Sequence, residues 1–208
     1  MNAFEEGLLK YLSKSDLAKI QRTKIGIIGA GGLGSNCAML LVRSGFVQFT
    51  IADFDVVEPS NLNRQNYFLS QVGQAKAKAL AENLKRINPS VKIDSLAISV
   101  TSTTLRQCFS DCDILVEAVD QAETKAMIIE EMAAEGKLLV AVSGLAGFGS
   151  SDRIQTKKIT ACFYLIGDGS SSVEDIAPFA PLVTLAAAKQ ADVVLTEVLG
   201  KPAKNRPQ

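Results

Sequence analysis

The stretch Ile25-Gly26-Ile27-Ile28-Gly29-Ala30-Gly31-Gly32-Leu33-Gly34 runs an apolar strand directly into a glycine-rich turn, and few folds accept that join. The glycines at 29, 31 and 34 match G-x-G-x-x-G, in which missing Cβ atoms let the chain turn tightly and let a ligand approach the backbone. The turn opens a helix, so its unpaired N–H groups offer a seat for phosphate. A second apolar strand, Val47 to Ala52, ends in Asp53 about 20 residues beyond the turn, where a Rossmann fold presents a carboxylate to ribose hydroxyls.

The rest of the chain keeps this alternation. Leu33 to Ser44 reads as a helix closed by Gly45, Val72 to Ile87 as a helix stopped by Asn88-Pro89, and Val91 to Val100 as a strand. Thr103 to Ser110 reads as a short helix, Asp113 to Val119 as a buried strand ending at Asp120, Ala122 to Glu135 as a helix, and Lys137 to Ser143 as a strand. Apolar strands alternating with helices predict an α/β fold: a Rossmann-like, mostly parallel sheet with helices on both faces. Arg153 to Lys158 and Thr160 to Ile166 predict two shorter strands at its end, able to pair antiparallel. Residues 1–22 read as a covering helical segment with a break at Ser15-Asp16, and Leu182 to Leu199 as a last helix. Residues 1–200 suit a single domain, with a disordered tail over 201–208.

Composition narrows the chemistry. Lysine plus arginine equal aspartate plus glutamate at 22 each, which argues against a nucleic-acid or membrane-surface protein. No apolar run reaches membrane-spanning length, and the first residues lack a basic, then apolar, leader pattern, so the expected location is cytoplasmic. There is no histidine, which removes histidine-based acid–base and nucleophile schemes. The four cysteines, 37, 108, 112 and 162, form no C-x-x-C pair, which argues against zinc and against a disulfide framework. Cys37, Cys108 and Cys112 read as structural thiols, and Tyr67 and Phe68 as packing anchors.

The residues beyond Asp53 decide between redox and phosphate chemistry. Asp53 to Gln65 is a long polar loop, and the deciding residues are Asn61, Arg64, Gln65 and Lys76. An arginine fork and a lysine point charge beyond the ribose acid suit a polyphosphate. Asp120, at a neighbouring strand end, suits a magnesium ion held by one carboxylate and phosphate oxygens. Taken singly, Arg64 and Lys76 also read as solvated surface and Asp120 as the N-cap of the next helix. The P-loop pattern G-x-x-x-x-G-K-[ST] is missing, so any ATP is handled without it. The glycine turn and Asp53 alone fit an NAD-binding oxidoreductase or a non-catalytic binding module.

Gly29-Ala30-Gly31-Gly32-Leu33-Gly34, Asp53-Phe54-Asp55, Ser60-Asn61-Leu62-Asn63-Arg64-Gln65, Gly73-Gln74-Ala75-Lys76, Asn88-Pro89 and Asp120 together resemble the ThiF/MoeB/HesA superfamily, relatives of ubiquitin-activating enzymes. The similarity runs from about Lys24 to about Leu199 and is nearest to short ThiF-type proteins. The resemblance implies ATP-dependent adenylation of the C-terminal glycine carboxylate of a ubiquitin-like sulfur carrier of the ThiS type, ending in Gly-Gly, in thiamine biosynthesis, by a homodimer. It places Gly32 under the nucleotide, Asp53 on the ribose, and Ser60, Asn61, Leu62, Asn63 and Arg64 around ribose and phosphates. Arg64 and Lys76 would neutralise the departing pyrophosphate, and Asp120 would ligate magnesium. Other members of the superfamily dehydrate a modified tRNA base. Three departures stand out: Cys162 is alone where larger members carry a zinc-binding pair, the usual Asp-Asn reads Asp120-Gln121, and Ser170 to Ile176 has no cysteine for a covalent carrier adduct.

Overall fold

The computed structural model describes residues 2–171 and 176–201. Helices α1 (Ala3–Leu8) and α2 (Lys14–Arg22) lead into β1 (Lys24–Ile28), α3 (Gly32–Arg43) and β2 (Gln48–Ala52). Then come α4 (Lys76–Ile87), β3 (Lys92–Leu96), α5 (Ser102–Phe109), β4 (Ile114–Glu117), α6 (Ala122–Glu135) and β5 (Leu138–Val142). The strands β6 (Gln155–Lys158) and β7 (Phe163–Gly167) precede the long α7 (Ala180–Leu199). The strands form one sheet in the order β3-β2-β1-β4-β5-β7-β6. Every pairing is parallel except β6 with β7, as the two shorter strands at the end of the sequence lead one to expect.

Side chains alternate across a strand, so one run of apolar residues feeds two cores. Ile114, Val116 and Val140 join Ile25, Ile27 and Phe49 under residues of α2, α3, α4 and α7. Leu115, Leu139 and Ile28 turn the other way, against Leu105 and Phe109 of α5 and Ile128 and Met132 of α6. Burying one such leucine or isoleucine fully is worth about 1.5–3 kcal/mol, which is why these strands carry almost no polar residues. Cys37 and Cys112 are buried thiols within these cores. Among the described residues no helix is long and apolar enough to cross a membrane.

Several boundaries differ from expectation for local reasons. The helix expected from Val72 starts at Lys76, because Leu69–Gln71 is a 3₁₀ turn, Gly73 has φ +86°, and Ala75 forms a β-bridge with Val56. The strand expected over 91–100 shortens to β3, an edge strand with mostly exposed or half-exposed side chains and no apolar demand to extend it. The N-terminal break falls before Lys14, where the Ser13 side chain accepts from the Asp16 N–H and caps α2. Phe68 is no anchor: it is 56% exposed at the head of the 3₁₀ turn, whereas Tyr67 is buried. Of the tail expected over 201–208, residues 202–208 lie outside the described residues, as do 172–175 of the loop before α7.

Candidate active site

The glycine turn lies at the carboxyl end of β1, in the middle of the sheet. Gly29 has φ +95°, and a Cβ there would sit 2.7 Å from the carbonyl oxygen of Ala118. A Cβ on Gly34 would lie 1.8 Å from the Gly29 carbonyl oxygen, so these two glycines are required by the protein's own packing. Gly31 differs: its φ is negative, at −73°, and the nearest atom to an added Cβ is Gln65 Nε2 at 3.8 Å. The space over Gly31 is therefore open. Gly32 faces Val183 of α7 and the stem of Arg64, whose Cγ would be 3.6 Å from its Cβ. The helical bonding of α3 begins with the Ser35 N–H to Gly31 O at 3.0 Å, which leaves the preceding N–H groups for an anion.

Ala30 is held from both sides. Asp53 Oδ2 accepts its N–H at 2.6 Å while Oδ1 accepts the Asp55 N–H at 2.8 Å. Burial pushes the Asp53 carboxyl pKa up, and the Ala30 and Asp55 N–H groups and the Lys76 charge pull against that. The Tyr67 hydroxyl donates to Ala30 O at 2.7 Å and lies 3.3 Å from Lys76 O, and burial raises its phenol well above the ordinary range. Lys76 is not solvated surface: it is 6% exposed, and its Nζ donates to Asp55 Oδ2 at 2.7 Å.

The loop between Asp53 and α4 divides its expected ligand set. Asn61 is buried, and its Oδ1 accepts the Glu58 N–H at 3.1 Å, capping a 3₁₀ turn over Pro59–Asn61. Leu62 packs inward against the larger core. Ser60 Oγ donates to Glu58 Oε2 at 3.2 Å, and Asn63 Nδ2 donates to Pro178 O at 3.3 Å. Arg64 stays at the turn: Nη1 donates to Asn63 Oδ1 at 2.8 Å and Ser60 O at 3.2 Å. Among the described residues it has no carboxylate partner. Asn36, which sequence reasoning missed, ties the loop to α3, donating to Gly32 O at 2.7 Å and Arg64 O at 2.8 Å while accepting from Asn66 at 2.9 Å. Gln65 is 8% exposed, and its Oε1 is sealed from solvent without a donor. Leaving such an amide unpaired costs about 1–3 kcal/mol.

At the end of β4, next to β1, the chain carries a charge pair that local reading passed over. Glu117 is fully buried, its Oε1 accepts the Val119 N–H at 2.8 Å, and its Oε2 pairs with Lys125. Lys125 also donates to Val142 O at 2.8 Å, and Gln190 Nε2 donates to Glu117 O at 3.0 Å. The one sequence signal was a glutamate inside the apolar run Ile114 to Val119. Three residues beyond this anchor, Asp120 is exposed and without a hydrogen-bond or ion-pair partner among the described residues. It is not the N-cap of α6. Gln121 takes that place, its Oε1 accepting from Thr124 at 3.2 Å.

Burial pushes the Glu117 carboxyl above its ordinary value of 4.5, against the pull of Lys125 and the Val119 N–H. A carboxyl raised by folding favours the folded state fully below its unfolded value and loses that contribution as pH rises through the folded value. Lys125→Met removes the compensating charge, raising the carboxyl further. The expected result is a loss of about 2 kcal/mol at pH 8, a fall in Tm of about 4–8 °C, that narrows at pH 5.5 as Glu117 takes up a proton. Melting curves at the two pH values check it; an equal deficit at both would show that the loss is packing and not charge.

The structure thus gathers Gly29, Gly31, Gly32, Gly34, Asp53 and Arg64 around one open turn, brings the Asp120 loop to its side through Ala118, and parks Lys76 on Asp55. Among the described residues no three His, Cys, Asp or Glu side chains cluster as a metal cage. A lone carboxylate such as Asp120 fits a magnesium ion whose other ligands are phosphate oxygens and water.

Known proteins resemble the chain in sequence and in fold. Adenylyltransferase and sulfurtransferase UBA4 of Candida glabrata is 31% identical over 146 residues, covering 70% of this chain and 34% of that protein. Sulfur carrier protein ThiS adenylyltransferase of Bacillus subtilis is 34% identical over 128 residues, 60% of this chain and 38% of that protein. The chain therefore spans little more than a third of the length of these curated relatives. In fold it is similar to the E. coli tRNA N6-threonylcarbamoyladenosine dehydratase TcdA crystallised with AMP, at TM-score 0.85, 21% identity and 93% of both chains. Residues 6–208 match the ThiF family, and the chain belongs to that family.

Proposed function

We propose that this protein adenylates a carboxylate with ATP, and that the carboxylate is the C-terminal glycine of a ubiquitin-like sulfur carrier of the ThiS type in thiamine biosynthesis. The observation that carries the reading is Arg64, a guanidinium without a carboxylate partner among the described residues, held against Gly32 at the open N-terminus of α3. A fixed planar fork beside free helix N–H groups is suited to phosphoryl oxygens. The named activities of the curated relatives support the same chemistry.

In this scheme the α3 N-terminus and Arg64 hold the phosphates, and Asp53 takes the ribose while still gripping Ala30. An incoming phosphate oxygen offers Lys76 the same charge that Asp55 offers, so the lysine transfers between them. Asp120 would hold magnesium, which supplies neutralisation of phosphate charge. A carrier carboxylate oxygen attacks the α-phosphorus, the bond to the bridging oxygen of pyrophosphate breaks, and that electron pair leaves with pyrophosphate. No proton moves, because a terminal carboxylate is ionised near neutral pH. A site without histidine is adequate for this step, which rests on positioning and electrostatic stabilisation.

The test is exchange of labelled pyrophosphate into ATP. Exchange is expected only when magnesium and a Gly-Gly-ending carrier are both present. A second reading, ATP-dependent dehydration of a modified tRNA base, takes support from the fold likeness to TcdA across 93% of both chains. Equal numbers of acidic and basic residues count against a tRNA surface. Turnover with tRNA and none with carrier would move the assignment to that reading, and saturable NADH binding in place of ATP would remove both.

A further inference from the structure

We infer that Gln65 is a nucleotide-contacting residue, its side-chain amide donating to a phosphoryl oxygen seated over Gly31; the inference rests on the proposed nucleotide site and adds to it a ligand group outside the charged set. The backbone of Gln65 is fully engaged, its N–H to Asn61 O at 3.0 Å and its carbonyl oxygen from the Tyr67 N–H at 2.8 Å. The residue is 8% exposed; its Oε1 is buried without a partner, and its Nε2, the end that solvent can reach, makes no hydrogen bond among the described residues.

Each of the other buried amides among the described residues makes at least one side-chain hydrogen bond. Asn36 and Gln71 each both donate and accept. Asn88 and Gln190 leave one amide atom unpaired, but Asn88 Oδ1 accepts from Asn2 at 2.7 Å and Gln190 Nε2 donates at 3.0 Å. Gln65 alone of these is unpaired at both ends. Of the two ends only Nε2 can meet a partner that arrives from outside, because Oε1 is sealed from solvent and, as an acceptor, has nothing to take from a phosphoryl oxygen.

Position says what that partner is. Gln65 Nε2 comes within 3.8 Å of the place a Gly31 Cβ would fill, at the head of the 12-residue helix α3, where the free N–H groups collect negative charge. The amide's NH₂ matches a phosphoryl oxygen there, and its carbonyl oxygen does not. Unlike Arg64 and Lys76 it adds no charge, so it fixes orientation and contributes little to long-range attraction.

Titration calorimetry with AMP and with adenosine on the wild-type chain, Gln65→Leu and Gln65→Glu, together with melting curves, tests this. Gln65→Leu is expected to weaken AMP by about tenfold to a hundredfold, to change adenosine by less than about twofold, and to hold or raise Tm, since an apolar isostere removes an unpaired buried amide. Gln65→Glu is expected to weaken AMP further than Gln65→Leu. Unchanged AMP affinity in Gln65→Leu would overturn the inference, as would equal losses for AMP and adenosine with a lowered Tm, the mark of a structural role. A wild-type chain that binds no adenine nucleotide would remove the nucleotide reading itself, an outcome distinct from normal binding that Gln65 does not influence.

Discussion

Asp120→Ala is expected to lower magnesium-dependent pyrophosphate exchange by about two to three orders of magnitude, the size of effect produced by removing one preorganised electrostatic group from a transition state. The substitution is a clean one. Asp120 is exposed and unpaired among the described residues, so truncating it breaks no bond of the fold, and Tm is expected to stay within about 2 °C of wild type. The loop that carries it is fixed from below, by Glu117 with Lys125 and by the Ala118 N–H to Ile28 O at 2.8 Å. Arg64→Ala is expected to fall in the same range for a different reason, loss of the fork beside Gly32. Raising magnesium should partly rescue Asp120→Ala and leave Arg64→Ala unmoved. Exchange within about threefold of wild type in both variants would remove these residues from the site.

Gly34→Ala is expected to be severely destabilising for a change of one methyl group. Its carbon would arrive 1.8 Å from the Gly29 carbonyl oxygen and 3.1 Å from Ile27 Cγ2, and the first of these is backbone that cannot swing away. Relief requires α3 to move off β1, and with it the packing of α3 on α7. We expect a cost of about 3 kcal/mol or more, a fall in Tm of about 6–12 °C, together with loss of nucleotide binding. Gly31→Ala is the matched control: no protein atom obstructs it, so Tm should hold while AMP affinity falls. Equal stability of the two variants would show that the turn adapts and that the glycine spacing is not steric in origin.

These contrasts mark how far the sequence could be read. The strand, the glycine turn, the helix and Asp53 were legible because short-range sterics and a period of apolar residues dictate them, and the parallel order followed from the alternation. The start of α4 was not, because Val72 continues an apolar pattern while a 3₁₀ turn and the Val56 bridge to Ala75, set by contacts across the loop, hold the chain out of the helix. Asn61 illustrates the same limit at the site. Nothing in a polar loop announces that the carbonyl oxygen of one asparagine closes a turn on Glu58. Glu117, Lys125 and Gln190 meet only after β4, α6 and α7 have packed, and no window of sequence contains all three.

The double hold on Ala30 has a thermodynamic consequence. Its N–H is fixed by Asp53 and its carbonyl by Tyr67, so the peptide that leads into the phosphate seat has lost its conformational freedom before any ligand arrives. That entropy is surrendered during folding, at a rate of about 1–2 kcal/mol per residue, and is not charged again at each encounter with a nucleotide. Association at the turn should then be limited by diffusion and by the exchange of Lys76 from Asp55, and the affinity should depend on temperature as for a rigid receptor and not as for a loop that orders around its guest.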